Sequence, residues 1–162
     1  MTAETSIEIR PVVNGMSHTS IVKPRVTVAE YLRDYLGLTG TKTSCEVEVC
    51  GVCSVIVDGL PVSGCAALAA DLDGKTVTTV EGLATGDTLS HLQQAFIETF
   101  ATQCGFCTPG FLVMGTALLA ANPQPSRDDV MEYLEGNICR CTGYRPIIEA
   151  VLLAAERMAA PQ

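Results

Sequence analysis

Residues 44–53 read SCEVEVCGVC: three thiols fall within nine positions, Glu46 and Glu48 sit between the first two, and no basic residue intervenes. A fourth thiol follows at Cys65, which makes the spacing C-x4-C-x2-C-x11-C. The intervening SVIVDGLPVSGC alternates apolar and polar residues around Asp58-Gly59, the signature of a tight hairpin. Such a hairpin brings Cys65 back to the loop that carries Cys45, Cys50 and Cys53. The question is what an acidic loop with four convergent sulfurs holds.

Four more cysteines lie in the second half, as Cys104 and Cys107 in QCGFCTPG and Cys139 and Cys141 in ICRCTGY. The first pair immediately precedes the helix start Thr108-Pro109, and the second lies shortly before a helix opened by Pro146. Two helix N-termini would then aim unpaired N–H groups and positive dipole ends at one site. An oxidised two-iron cluster brings about +2 to four thiolates and leaves a formal charge near −2, which helix N-termini favour. In the first set, the leading three thiols have the spacing of the plant-type ferredoxin loop, which wraps a 2Fe-2S cluster and takes its fourth ligand from farther along. A closed zinc site more often pairs C-x2-C knuckles, so the x4 gap suits zinc less well. Zinc in both sets, or a disulfide framework, is the competing structural reading. His18 and His91 neighbour neither set, which excludes a Rieske centre. No glycine-rich nucleotide loop or Ser/His/Asp arrangement occurs, and Asp128-Asp129 read as helix-start charges. The chain carries ligands and no reaction centre of its own.

Working outward, the first half reads as strand-rich. Ile7 and Ile9 alternate with polar neighbours, Asn14-Gly15 suits a hairpin turn, and Thr19–Val22 is the returning strand. Thr27 and Glu30 form a capping-box pattern before a helix whose inner face is Val28, Tyr31, Leu32, Tyr35 and Leu36, stopped at Gly37. Thr76–Val80 is a further strand. Beyond residues 81–87 everything reads as helix. Leu89, Leu92, Phe96 and Phe100 stripe the first, and Thr108-Pro109 and Asn122-Pro123 bound the second. Ser126 with Asp129 caps a third that ends at Gly136, and Ile147, Ile148, Val151, Leu152 and Ala155 face inward on the fourth. The expected class is α+β, with a mixed-sheet domain over residues 1–82 and an all-α four-helix domain over residues 83–162.

The chain has 162 residues and a net charge of −8, from ten basic and eighteen acidic side chains. No Lys/Arg stripe exists to neutralise phosphates, so nucleic acid and anionic membrane surfaces are not expected partners. The opening MTAETSIEIR is not a secretory signal, and the longest apolar run, around Gly110–Ala121, is too short to span a bilayer. A cytoplasmic location is expected, where eight cysteines stay reduced and suit metal better than disulfides.

From about Ser6 to Met158 these residues resemble the small iron–sulfur subunit of the molybdenum hydroxylases, the xanthine-oxidase-like enzymes, which include carbon monoxide dehydrogenase, quinoline and isoquinoline oxidoreductases and nicotine dehydrogenase. The resemblance is carried by LGLTGTK before Cys45, by CGVC, QCGFCTPG and GNICRCTGYRPI. It implies a β-grasp plant-type ferredoxin domain followed by a four-helix 2Fe-2S domain. It also implies two 2Fe-2S clusters, one on Cys45, Cys50, Cys53 and Cys65, the other on Cys104, Cys107, Cys139 and Cys141. The second cluster would lie nearest the molybdenum cofactor, commonly molybdopterin cytosine dinucleotide, held by a large partner subunit. Gln103 matches a position that touches the pterin. The first cluster would pass electrons to FAD on a medium subunit or to another acceptor. Arg140, between two ligands, would offset cluster charge. The implied assembly is a heteromer, such as a dimer of heterotrimers, and the implied substrate class is an aromatic N-heterocycle. A free-standing two-cluster electron carrier is the alternative.

The family pattern around the first set is GC-x-x-G-x-C, whereas this chain has Ser44 and Glu48 at the two glycine positions. Either Glu48 takes a left-handed conformation under strain, or the loop relaxes and loses an N–H contact to sulfur.

Overall fold

The computed structural model describes residues 6–160. Strand β1 (Ile7–Ile9) pairs antiparallel with β4 (Ser20–Val22), and between them β2 (Val12–Val13) and β3 (Met16–Ser17) pair with each other. Asn14 and Gly15 supply the turn at φ of 50° and 80°. Both ladders keep the register set by that two-residue turn, so the expected hairpin is present but divided. Pro11 has no N–H to continue the ladder, although its carbonyl accepts the His18 N–H at 2.9 Å. Beyond the division, β2 joins a larger sheet instead.

That sheet has the order β3-β2-β7-β5-β6, with β5 (Ser54–Val57), β6 (Leu60–Ser63) and β7 (Thr76–Thr78). Strands β2 and β7 are parallel, and the β5–β7 and β5–β6 pairs are antiparallel. The strand expected over Thr76–Val80 stops at Thr78. There Asn14 Oδ1 accepts the Thr79 N–H at 2.9 Å, and a 3-10 turn follows over Val80–Gly82.

Helix α1 (Val28–Glu30) opens with the capping box of Thr27 and Glu30, then widens into a π-helical turn over Tyr31–Tyr35. The Leu36 N–H reaches back to the Tyr31 carbonyl at 3.2 Å. The wider turn rotates the expected inner face. Val28, Tyr31 and Leu32 are buried, while Tyr35 is 45% exposed. This helix packs with Ile9, Val13, Val22, Val55 and Val77 in the first core.

Four longer helices build the second core: α2 (His91–Glu98), α3 (Thr108–Ala121), α4 (Arg127–Leu134) and α5 (Arg145–Ala159). Leu92 and Phe96 point inward on α2, but Leu89 precedes the helix and Phe100 lies beyond it. Phe100 is 81% exposed at φ 54°, so it does not extend the apolar stripe. Cys107, not Thr108, is the N-cap of α3, and Ser126 with Asp129 forms the capping box expected for α4. On α5, Ile147, Val151 and Ala155 are buried, and Ile148 and Leu152 are half-buried against the same core. Among the described residues no helix is long and apolar enough to cross a membrane.

Helix α3 touches both layers, packing on β5 and β6 as well as on α2, α4 and α5. Its N-terminal turn approaches the first cysteine loop closely. A Cβ on Gly110 would lie 2.5 Å from the Gly51 carbonyl oxygen. Only glycine allows that contact.

Candidate metal centres

The loop from Ser44 to Cys53 alternates its backbone hand, with Glu46, Glu48 and Gly51 at φ of 56°, 59° and 67°. Glu48 therefore takes the strained alternative, and Glu46 does as well. The alternation turns successive N–H groups inward, as in a backbone nest. The Val49 N–H lies 3.4 Å from Cys45 Sγ. The N–H groups of Val47, then of Val49 and Cys50, bring the Cys45 thiol down to about 6. The Cys45 thiol neighbours Cys50, and the Cys53 thiol neighbours Cys65 and Cys50. Cys53 is buried at the foot of β5, and burial pushes it up to about 11. The hairpin across Asp58-Gly59 returns Cys65 to this loop, as the sequence led one to expect.

In the second set Cys107 neighbours Cys139 and Cys104, and Cys141 neighbours Cys104 and Cys139. Burial pushes the Cys107 thiol up to about 12. Burial also opposes the Cys139 thiolate, but the hydroxyl and N–H of Thr142 and the Cys141 N–H outweigh it and hold this thiol below the usual range. Thr142 Oγ1 donates to Cys139 Sγ at 3.1 Å. The Cys139 N–H donates to the Tyr144 hydroxyl at 3.1 Å, and that ring stands edge-on to Phe111 with centroids 6.3 Å apart. Helix α3 meets this site directly through Cys107. Helix α5 is separated from it by the segment Thr142–Tyr144, where Tyr144 stands at φ 67°. Of the two helix N-termini expected at this site only that of α3 meets it directly, and sequence reasoning missed Thr142 and Tyr144, although both lie within the CRCTGY motif.

Two contacts lock the sets together. Asn137, buried between the units, donates from Nδ2 to the Gly51 carbonyl at 3.0 Å, and the Ile138 N–H donates to the Cys50 carbonyl at 3.0 Å. Asn137 lies within the GNICRCTGYRPI motif, but its role was not read from the sequence. Between the sets lies a cavity of about 200 Å³ lined by Ser44, Cys50, Cys104, Phe106, Arg140 and Cys141, among others. Gln103 is exposed beside the exposed Cys104, in the segment between α2 and α3, and does not cap a helix.

The donor chemistry fits iron–sulfur clusters. Sulfurs of each set lie beside one another, and the loops direct N–H or O–H groups at Cys45 and Cys139 Sγ, the donors that anionic cluster sulfur takes up.

This fold and these sulfur sets define a class: a two-centre iron–sulfur protein of mixed helix and sheet. The 2Fe-2S iron-sulfur cluster binding domain family matches residues 12–84, and the 2Fe-2S binding domain family matches residues 79–152. The small subunit of nicotine 6-hydroxylase from Paenarthrobacter nicotinovorans is 51% identical over 146 residues, covering 90% of this chain and 88% of that protein. The small FeS subunit of nicotinate dehydrogenase from Eubacterium barkeri is 42% identical, covering 91% of this chain and 94% of that one. Quinoline 2-oxidoreductase from Pseudomonas putida 86 superposes with a TM-score of 0.92 at 44% identity, over 97% of this chain and 99% of the other. The chain belongs to the family of small iron–sulfur subunits of xanthine-oxidase-like molybdenum hydroxylases.

Proposed function

We propose that this chain is the electron-transfer subunit of a multi-subunit molybdenum hydroxylase, with one 2Fe-2S cluster on Cys45, Cys50, Cys53 and Cys65 and another on Cys104, Cys107, Cys139 and Cys141. Each cluster supplies a site that accepts and releases one electron. The observation that carries the reading is that two cysteine loops, each with N–H or O–H groups aimed at Sγ, are held against one cavity by the fold. In the first set we assign Cys45 and Cys50 to one iron and Cys53 and Cys65 to the other. In the second we assign Cys104 with Cys141 and Cys107 with Cys139. The protein positions these ligands, points N–H donors at them, and keeps Cys53 and Cys139 from water.

We assign the exposed edge with Gln103, Cys104 and Cys141 to the large molybdopterin-binding subunit, where Gln103 would meet the pterin of a molybdopterin cytosine dinucleotide. The Cys45 set would deliver electrons to FAD on a medium subunit. The substrate class is an aromatic N-heterocycle, as the names of the nicotine, nicotinate and quinoline relatives suggest for this chain. The sheet unit is a β-grasp ferredoxin domain and the helical unit a four-helix domain, changing over at 82/83 in a cytoplasmic heteromer, a dimer of heterotrimers. The outer ends of these two ranges, residues 1–5 and 161–162, lie outside the described residues. The complex, purified without oxygen, is expected to hold four irons per copy of this chain. Zinc in either set, or an intramolecular disulfide, overturns the reading.

A further inference from the structure

Three hydrogen bonds close a ring over residues 139–144. The Cys139 N–H donates to the Tyr144 hydroxyl at 3.1 Å, the Tyr144 N–H donates to Thr142 Oγ1 at 3.2 Å, and Thr142 Oγ1 donates to Cys139 Sγ at 3.1 Å. A ligand thiolate has no proton to give, so the hydroxyl proton points at the sulfur while an Oγ1 lone pair takes the Tyr144 N–H. A turn in which a threonine hydroxyl accepts the N–H two residues on is common by itself. It does not explain why the same hydroxyl also lies on a cysteine sulfur. Tyr144 takes a left-handed backbone, φ 67°, to turn its N–H back on Thr142, and its ring stands edge-on against the buried Phe111. Cys139 is buried, so the bond to its sulfur is made largely away from water, where it is electrostatically stronger. Among the described residues no other hydroxyl is hydrogen-bonded to a cysteine sulfur, and Cys45 takes backbone N–H groups instead.

We infer that Thr142 is a positioning residue for electron transfer: acting through Cys139, its hydroxyl raises the reduction potential of the centre on Cys104, Cys107, Cys139 and Cys141 and leaves the Cys45 centre unmoved. The inference rests on the reading that each sulfur set holds a 2Fe-2S cluster. Four thiolates with an oxidised two-iron cluster carry a formal charge near −2, and one added electron makes it about −3. That electron comes from the molybdenum site of the proposed complex, or from dithionite in a titration. No bond breaks, and the hydroxyl keeps its proton. Part of the added charge falls on the ligand sulfurs, so a donor aimed at Sγ stabilises the reduced state more than the oxidised one. A hydroxyl carries no net charge, and its influence is confined to the sulfur it touches instead of spreading to the other set.

The test is a dithionite titration of the assembled complex without oxygen, followed by the separate paramagnetic resonance signals of the two reduced centres. Thr142→Val keeps the side-chain shape and the backbone N–H but removes the hydroxyl. It is expected to lower the one-electron reduction equilibrium of the Cys139 centre about tenfold, or about 59 mV, and to move the Cys45 centre less than about twofold. Thr142→Ser keeps the hydroxyl and is expected to stay within about threefold of the unaltered protein. An unchanged Cys139 centre in the valine variant overturns the inference, as does an equal fall in the serine variant or an equal fall at the Cys45 centre. If Thr142→Val loses iron, Thr142→Ala removes the hydroxyl with less side chain and is expected to show the same fall. Loss of iron from both makes Thr142 a structural residue and overturns the inference as well. Should the unaltered complex hold fewer than four irons per chain, the functional reading itself fails, an outcome distinct from any of these.

Discussion

Glu46 and Glu48 combine two costs in one loop. Each holds a left-handed backbone that glycine adopts freely, and each adds negative charge beside a sulfur set proposed to be anionic. Strain of this kind costs of order 1–3 kcal/mol per residue. Glu48→Gly is therefore expected to raise the denaturation temperature of the complex and to raise the potential of the Cys45 centre. An unchanged or lower potential in the redox titration would refute the electrostatic part. Phe100 presents the same backbone problem without a sulfur set to justify it, at φ 54° and exposed. Phe100→Gly is expected to stabilise the chain by about 1 kcal/mol, measured as a higher urea midpoint at unchanged slope. The strain at these three positions was only partly legible. The glycine pattern of the family pointed at Glu48, but Glu46 and Phe100 carry no local signal of a left-handed backbone.

At the scale of elements, local chemistry was easier to read. The capping boxes of Thr27 with Glu30 and Ser126 with Asp129 stand where their spacing placed them, because an N-cap is a contact over three residues. Ser126→Ala is expected to cost about 1 kcal/mol, seen as a lower urea midpoint. The π-helical turn at Tyr31–Tyr35 was not legible. A capping pattern and an apolar face specify a helix but not whether its turn widens to suit the sheet beneath. Helix α3 shows the other side of this limit. Its boundaries follow from proline and asparagine, whereas its role as the element joining both cores depends on Gly110 lying against Gly51. Gly110→Ala places a methyl group 2.5 Å from the Gly51 carbonyl oxygen, so the loop must move. Its expected outcome is loss of iron from the Cys45 centre before the other, counted by the two resonance signals.

Across the whole molecule, two cores are held in one relation by buried polar contacts. Asn137 donates to the Gly51 carbonyl, and the Ile138 N–H donates to Cys50. Asn137→Ala removes one bond to the Gly51 carbonyl, which keeps the Ser54 hydroxyl as a donor at 2.8 Å, and costs about 1 kcal/mol. The expected result is two resolved unfolding transitions in place of one, followed by sheet-sensitive and helix-sensitive dichroism. The grouping of sulfurs also belongs to this scale. Cys104 neighbours Cys141, thirty-seven positions away, as well as Cys107, only three away. Spacing alone could not decide which thiols lie side by side.

The sequence by itself determined the two groups of four cysteines, the hairpins at Asn14-Gly15 and Asp58-Gly59, and the capping boxes at Thr27 and Ser126. These depend on contacts spanning a few residues, or on motifs that keep their meaning wherever the chain is placed. Only the tertiary structure decided which sulfurs lie side by side, the lock through Asn137 and Gly110, and the cavity between the two sets. Those are relations between segments far apart in the chain, and packing of the two cores, rather than local propensity, brings them within reach.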